Sequence, residues 1–299
     1  MSVCVLGSIN LDLVCRVVEL PGPGETVTAL DLARFAGGKG ANQAAASARW
    51  GACTYMVGAV GKDDAGDELL AHLSSAGVNV SGVARVPGAP TGQAYISVSS
   101  AGENMIVVVG GANRTVSTEQ VRASAVDGHA VLLSQLETPL AAIEALFAGP
   151  RKGLRILNAA PAVPDAKTLF RFLDMLIVNE TELAHYAGAA RELVALPEIA
   201  GAARSLIVRE GQRVIVTLGA RGAVAVDAES VIEVPGRAVQ VVDTTGAGDC
   251  FCGVLAASLD EGFALPDAMH RANVAAAIST QTAGAAVIPT LRVEVDALL

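Results

Sequence analysis

Cys53-Thr54-Tyr55-Met56-Val57-Gly58-Ala59-Val60 and, one short turn later, Ala65-Gly66-Asp67-Glu68-Leu69-Leu70-Ala71-His72-Leu73-Ser74-Ser75-Ala76 decide the fold class. The first run is short and apolar, as a buried strand is. The second repeats its apolar residues at helical spacing, with Leu69, Leu70 and Leu73 on one face. The same unit recurs on either side. Val3–Ile9 reads as a strand and Ala41–Trp50 as a helix, and His129–Ser134, Leu154–Asn158, Met175–Val178 and Val214–Leu218 read as further strands with helical patterns between most of them. Such alternation predicts an α/β fold of three αβα layers, Rossmann-like, with a mostly parallel sheet covered on both faces. Ligands in these folds sit beyond the carboxyl ends of the strands, and the polar motifs of this chain fall just after strands.

Two segments interrupt the alternation. Val14–Leu20 and Thr26–Phe35 flank the turn Pro21-Gly22-Pro23-Gly24, and Tyr95–Ser99 and Asn104–Val109 flank the hairpin signal Ser100-Ala101-Gly102-Glu103. These pairs are expected to form a small β-sheet lid from about residues 13–36 and 93–112. The alternative is an edge extension of the main sheet. No repeat, low-complexity tract or linker divides the chain, so residues 1–299 are expected to form a single domain.

Hydrophobic residues make up 52% of the chain, too many for a disordered protein and enough for a sizeable core. Mean hydropathy is +0.48, yet no stretch reaches the ~18 uninterrupted apolar residues of a spanning helix. The richest segment, Ala272 to Pro289, contains Asn273, Ser279, Thr280, Gln281 and Thr282. The start, Met1 to Gly7, has no basic residue before its apolar run and reads as a strand, not a signal peptide. A cytoplasmic location is therefore expected. Net charge is −9, and the 21 Lys and Arg residues are scattered, so neither nucleic acid nor membrane is an expected partner. An acidic chain of this kind must bind an anion through backbone amides, a metal ion or a single lysine. The cysteines (Cys4, Cys15, Cys53, Cys250 and Cys252) are odd in number and lack zinc spacing, so they read as free, buried thiols. Cys250 also sits at a helix start, where thiols can become reactive. His72, His129, His185 and His270 are isolated and read as surface or packing residues.

Chemistry concentrates in three segments. Val242-Asp243-Thr244-Thr245-Gly246-Ala247-Gly248-Asp249 leads into an apolar helical run from Phe251 to Leu259. A helix start offers unpaired N–H groups and a positive dipole end. Gly246 and Gly248 permit close approach, so the amides of Gly246, Ala247 and Gly248 can form an anion hole. Asp249 beside such a hole suits a base that takes a proton from an attacking hydroxyl, although an aspartate here also fits a plain N-cap. Phe35-Ala36-Gly37-Gly38-Lys39-Gly40-Ala41-Asn42 opens another helix. It is neither a P-loop nor a dinucleotide fingerprint, and by itself fits an ordinary glycine turn as well as a ligand loop. Gly7-Ser8-Ile9-Asn10-Leu11-Asp12 closes the first strand. Its Asn10 and Asp12 can face one cleft and suit vicinal hydroxyls, or simply form an Asx-turn.

Taken together and in this order, GSINLD, GGKGAN, GENMIVVVGGAN, QLETPL, NAAPA, VNETE, VTLGARG and VDTTGAGD resemble the ribokinase branch of the PfkB carbohydrate kinases over nearly the whole chain. The resemblance implies a ribokinase-like fold and an ATP-dependent sugar kinase that phosphorylates the primary 5-hydroxyl of D-ribose. Related kinases acting on 2-deoxyribose, fructose or a nucleoside are the alternatives, and a non-catalytic sugar-binding regulator on the same fold is a remoter one. By resemblance, Asn10, Asp12, Gly38, Lys39, Asn42 and Glu137 hold the sugar, Asp249 is the catalytic base, and Gly246, Ala247 and Gly248 form the anion hole. Asn179 and Glu182 match the element that organises Mg²⁺ and phosphate. Thr217, Gly219 and Gly222 fall in the nucleotide loop, and Asn273 falls near the adenine.

The family also binds a monovalent cation, usually K⁺. Asp243 and Thr245 match its first ligands, and Ser279, Thr282 and Gly284 fall in the second ligand loop. That loop departs from the family pattern. Gly284-Ala285-Ala286-Val287-Ile288-Pro289 is one residue shorter and lacks the usual serine, leaving backbone carbonyls to serve. Related enzymes often dimerise through their lids, so a homodimer is expected.

Overall fold

The computed structural model describes residues 2–124, 128–149, 153–190, 193–282 and 291–299. Its strands are β1 (Val3–Leu6), β2 (Asn10–Val17), β3 (Asp31–Gly37), β4 (Thr54–Gly61), β5 (Asn79–Val86), β6 (Gly92–Ser99), β7 (Asn104–Val109), β8 (Val131–Ser134), β9 (Leu154–Asn158), β10 (Met175–Asn179), β11 (Arg213–Thr217), β12 (Gly222–Val226) and β13 (Val231–Pro235). Its helices are α1 (Lys39–Trp50), α2 (Asp64–Ser75), α3 (Thr118–Ala123), α4 (Leu140–Phe147), α5 (Glu180–Ala187), α6 (Leu196–Ser205), α7 (Ala247–Asp260), α8 (Leu265–Ser279) and α9 (Leu291–Asp296).

Among the described residues the larger sheet runs β13-β12-β11-β10-β9-β8-β1-β4-β5. The strands from β5 to β11 pair in parallel, and β12 and β13 add an antiparallel edge. Helices on both faces leave the central strands no contact with water. All of β1 and β8, and Met175 to Val178 of β10, are buried, which is why these strands read as apolar runs without alternation. The two cores divide the strands by parity. Val3 and Val5 of β1 pack with α1, α2, α7, α8 and α9, while Cys4 and Leu6 pack with α3 to α6.

The first strand is shorter than expected, ending at Leu6. Gly7 still donates to the Val57 carbonyl at 3.1 Å, but the Ser8 carbonyl turns to accept from Ala41 N at 2.9 Å. The chain has then left the main sheet, so Asn10 and Asp12 lie on β2 and not at the end of β1. The two interrupting segments form a separate sheet ordered β3-β2-β6-β7, which excludes the edge extension. It is mixed, since β2 pairs with β6 in parallel and the outer pairings are antiparallel. Its strands also shift from the expected spans: β2 ends at Val17, and β3 starts only at Asp31. Every residue of β7 is exposed.

Close backbone approach fixes α1 and α7. A Cβ on Gly40 would lie 2.6 Å from Gly7 Cα, and one on Gly253 would lie 2.4 Å from the Gln43 carbonyl and 2.7 Å from Ala46 Cβ. Neither helix can carry a side chain there without moving. We expect Gly253→Ala to cost about 1–3 kcal/mol, seen as a lower urea midpoint, and to slow turnover because α7 carries Asp249. A stability equal to wild type would refute this account of the packing.

Candidate active site

Two helix starts meet beyond the carboxyl end of β1. Gly38, with φ 91°, precedes α1, and a Cβ there would lie 2.7 Å from Asn10 N and 2.9 Å from the Ser8 carbonyl, so only glycine fits. Gly246, with φ 76°, caps α7. Ala247 N donates to the Thr244 carbonyl at 3.2 Å, so of the three expected anion-hole amides this one already has a partner within the turn. Gly248 follows, and a Cβ at that position would meet nothing within 4 Å. Gly246, Gly248 and Asp249 line an open cavity of about 130 Å³ together with Lys39, Asn158, Ala160, Ile177, Asn179, Glu182, Thr217 and Cys252.

Asp249 is buried, with 7% of its surface exposed. Asn42 Nδ2 donates to its Oδ2 at 3.1 Å, and Gln43 Nε2 to its Oδ1 at 2.9 Å. Asn42, expected on the sugar, thus also holds the base. Lys39 joins the same cluster. The Asp249 charge, ahead of the opposing effect of burial, raises its pKa, and Glu137 and Glu182 add to the rise, so the ammonium form is favoured.

Of the expected sugar residues only Lys39 lines that cavity; Asn10, Asp12, Gly38, Asn42 and Glu137 do not. Burial first, then the charges of Glu137 and Asp249, push the Asp12 carboxyl up to about 7, with Lys39 opposing. Its carboxylate presses on Gly37, where a Cβ would come within 2.1 Å of Oδ2. Glu137 Oε2 accepts from Ser8 Oγ at 2.5 Å and from Lys39 N at 3.4 Å, which places a carboxylate at the positive end of α1. Asn10 Oδ1 accepts from Asn113 Nδ2 at 2.7 Å, and Asn113 also bonds both backbone groups of Ile9.

Sequence reading missed Asn113, Ser8 and Gln43. The first two lie inside quoted motifs, GGAN and GSINLD, so the signal was present but unassigned. Gln43 follows GGKGAN directly, and nothing in its spacing distinguishes it from the alanines around it.

The nucleotide set divides. Asn179, Glu182 and Thr217 line the cavity, whereas Gly219, Gly222 and Asn273 do not. Asn179 and Glu182 form a capping box for α5: Glu182 N donates to Asn179 Oδ1 at 2.8 Å, and Asn179 N to Glu182 Oε2 at 2.9 Å. Burial raises the Glu182 pKa. Gly222, with φ 99°, opens β12 directly after the β11–β12 turn, and a Cβ there would lie 2.2 Å from the Val234 carbonyl of β13. Asn273 Nδ2 holds that same region, donating to Val234 O at 3.1 Å and Pro235 O at 3.4 Å.

The two expected cation loops are neighbours. Val242 N and Asp243 N both donate to the Thr280 carbonyl, at 2.7 and 3.0 Å. Asp243 Oδ1 accepts from Thr245 N at 2.9 Å. Ser279 Oγ donates to Ala276 O at 2.8 Å and Thr282 Oγ1 to Ser279 O at 3.4 Å, so these hydroxyl protons stay within their own turn. Gly284 lies outside the described residues.

The thiols need correction. Cys4, Cys250 and Cys252 are buried, but Cys15 is half-buried and Cys53 exposed. Burial pushes the Cys250 thiol up to about 12 despite its contact with the Ser279 side chain, and raises Cys252 well above its usual value. Desolvation outweighs the helix start, so Cys250 is not an activated nucleophile.

A glycine-bearing helix start with a buried carboxylate and an ammonium beside it suits the transfer of a phosphoryl group to an alcohol. The family pattern described as pfkB family carbohydrate kinase matches residues 1–291. The chain belongs to that family and is a carbohydrate kinase. It is 38% identical to a ribokinase of Mus musculus, across 95% of this chain and 90% of that protein. It is 34% identical to a deoxyribokinase of Salmonella typhi, across 95% of this chain and 94% of that protein. An Arabidopsis thaliana ribokinase solved with ribose and ATP is 30% identical and superposes with a TM-score of 0.85, covering 98% of each chain.

Asp12 supplies a test of the site's electrostatics. Its folded pKa, about 7, stands above the ordinary aspartate value of 3.8. A carboxyl whose folded pKa is raised adds stability while protonated and loses it as pH climbs through the folded value. Asp12→Asn is therefore expected to stabilise the protein by roughly 2–3 kcal/mol more at pH 8 than at pH 5, measured by urea unfolding. An equal effect at both pH values would refute the assignment.

Proposed function

We propose that the chain transfers the γ-phosphoryl group of ATP to the primary 5-hydroxyl of D-ribose, giving ribose 5-phosphate and ADP. The observation that carries this reading is the position of Asp249 at the start of α7, held by two amides and sharing one cavity with Gly246, Gly248 and Lys39. Asn10, Asp12 and Glu137 offer acceptors for the ring hydroxyls. Asp249 takes the proton of the attacking hydroxyl as the new O–P bond forms and the β–γ bridging bond breaks, and ADP leaves with the electron pair. The Gly248 amide, the dipole of α7 and the Lys39 ammonium take up charge spreading over the phosphoryl oxygens.

Mg²⁺, when bound, neutralises the phosphate oxygens. Among the described residues no group of three or more His, Cys, Asp or Glu can hold a metal, which fits an ion carried by the nucleotide and by water, with Asn179 and Glu182 as its protein side. Asp243, Thr245 and the turn holding Ser279 and Thr282 are the proposed groups for a monovalent cation, K⁺. The small sheet is proposed as a lid that excludes water. Among the described residues no helix is long and apolar enough to cross a membrane. A cytoplasmic location is proposed on the cysteines, none of which is in a disulfide.

A panel of ribose, 2-deoxyribose, fructose and nucleosides, with ADP release measured in the presence and absence of K⁺, tests the substrate. Ribose is expected to give the highest kcat/KM, and higher activity with K⁺ than without it. A preference for any other member of the panel would replace ribose. Asp249→Asn is expected to lower kcat about 10²–10⁴-fold with little change in sugar affinity. Retention of more than about a tenth of wild-type kcat would remove Asp249 from the role of base.

We also propose a homodimer through the lid sheet, whose β7 exposes Met105, Ile106, Val107, Val108 and Val109, an apolar edge that a soluble monomer would have to protect. Light scattering is expected to give twice the chain mass for the wild type and the single chain mass for Val107→Lys. A monomeric wild type would refute it.

A further inference from the structure

Gln43 is completely buried on α1 and both ends of its carboxamide are engaged. Oε1 accepts from Gln135 Nε2 at 2.6 Å, while Nε2 donates to Asp249 Oδ1 at 2.9 Å and to Asn158 Oδ1 at 3.0 Å. Turned end for end, it would set its oxygen against two acceptor oxygens, so its partners fix its orientation. Asn158 is oriented in turn, its Nδ2 donating to Ile177 O at 3.4 Å. Gln135 is also completely buried, and its Oε1 has no hydrogen-bond partner. That oxygen lies against Gly7, where a Cβ would come within 2.1 Å of it. An unmet buried acceptor is costly and rare. It is accounted for here if the other half of the same group is needed for Gln43.

We propose that Gln43 is a positioning residue that fixes the plane of the Asp249 carboxylate, and that Gln135 acts on the base at one remove by fixing the Gln43 amide. This rests on Asp249 being the base. With Oδ1 held by Gln43 and Oδ2 reached, among the described residues, by Asn42, the carboxylate presents one oxygen edge to the attacking alcohol and cannot rotate away from it. Glycine at position 7 completes the device, because no other residue leaves room for the Gln135 amide.

The test compares Gln43→Met, Gln135→Met, their double variant and Asp249→Asn. Single-turnover phosphoryl transfer and the KM values for sugar and ATP are measured, with a thermal melt to establish folding. We expect Gln43→Met to slow phosphoryl transfer about 10–100-fold, with both KM values within about threefold of wild type. Gln135→Met should slow it about 3–10-fold, and the double variant should be no slower than Gln43→Met, because the second residue acts only through the first. A folded Gln43→Met with a wild-type rate overturns the proposal, as do losses that multiply in the double variant or a KM that rises in step with the lost rate. If Gln43→Met does not fold, Gln135→Met decides: an unchanged rate overturns the proposal and a slowed rate with unchanged KM sustains it. An active Asp249→Asn would instead overturn the assignment of the base, whereas an inert Asp249→Asn beside an unimpaired Gln43→Met would overturn only the positioning role.

Discussion

Everything at the site depends on how closely the backbone of α1 lies against the end of β1. Gly7 and Gly40 face each other with no room for a methyl group, and Gly38 turns the chain where only a positive φ will do. This contact brings Lys39, Asn42 and Gln43 to the mouth of the sheet. Gly253 then lets α7 close on the same helix, and α7 brings Asp249. Three polar side chains and one carboxylate meet because four glycines gave up their side chains, a loss of core packing exchanged for precision of position.

The electrostatics follow from that crowding. Asp12, Glu137 and Asp249 share a poorly hydrated space with Lys39. Burial, with the neighbouring carboxylates adding to it, keeps Asp12 close to taking up a proton at neutral pH, while Lys39 is held charged. A chain of net charge −9 can therefore accommodate an anionic ligand without a basic surface. The attraction comes from one ammonium and from backbone N–H groups whose dipoles are fixed before the ligand arrives.

The layered fold was legible in the sequence because burial on both faces leaves strands such as Met175–Val178 continuously apolar, and because capped helices follow them. The antiparallel edge formed by β12 and β13 was not read, since Gly222-Ala223-Val224-Ala225-Val226 carries no alternation to set it apart. The break after Leu6 was also missed, because Ser8-Ile9-Asn10 looks like more strand and only the fit of Gly7 against Gly40 shows why the chain must leave the sheet. At the site, Asp249, Lys39 and the two glycine turns could be read from local chemistry. The Gln43–Gln135 pair could not, because the partners stand 92 residues apart and each looks like an ordinary polar residue beside a motif. Desolvation of Cys250 was equally invisible, since it depends on what packs over the start of α7.

Two of the groups proposed for the sugar do not belong to the main sheet. Asn10 and Asp12 are the first residues of β2, a strand of the small sheet, whereas Asp249 and Lys39 sit on helices anchored to the large one. Any rocking of the small sheet would therefore carry Asn10 and Asp12 with it, toward or away from Glu137 and Asp249. On the proposed reading, gripping the acceptor molecule and roofing it over would be one mechanical act, and a water molecule that reached Asp249 in the unroofed state would arrive before Asn10 and Asp12 had closed around it.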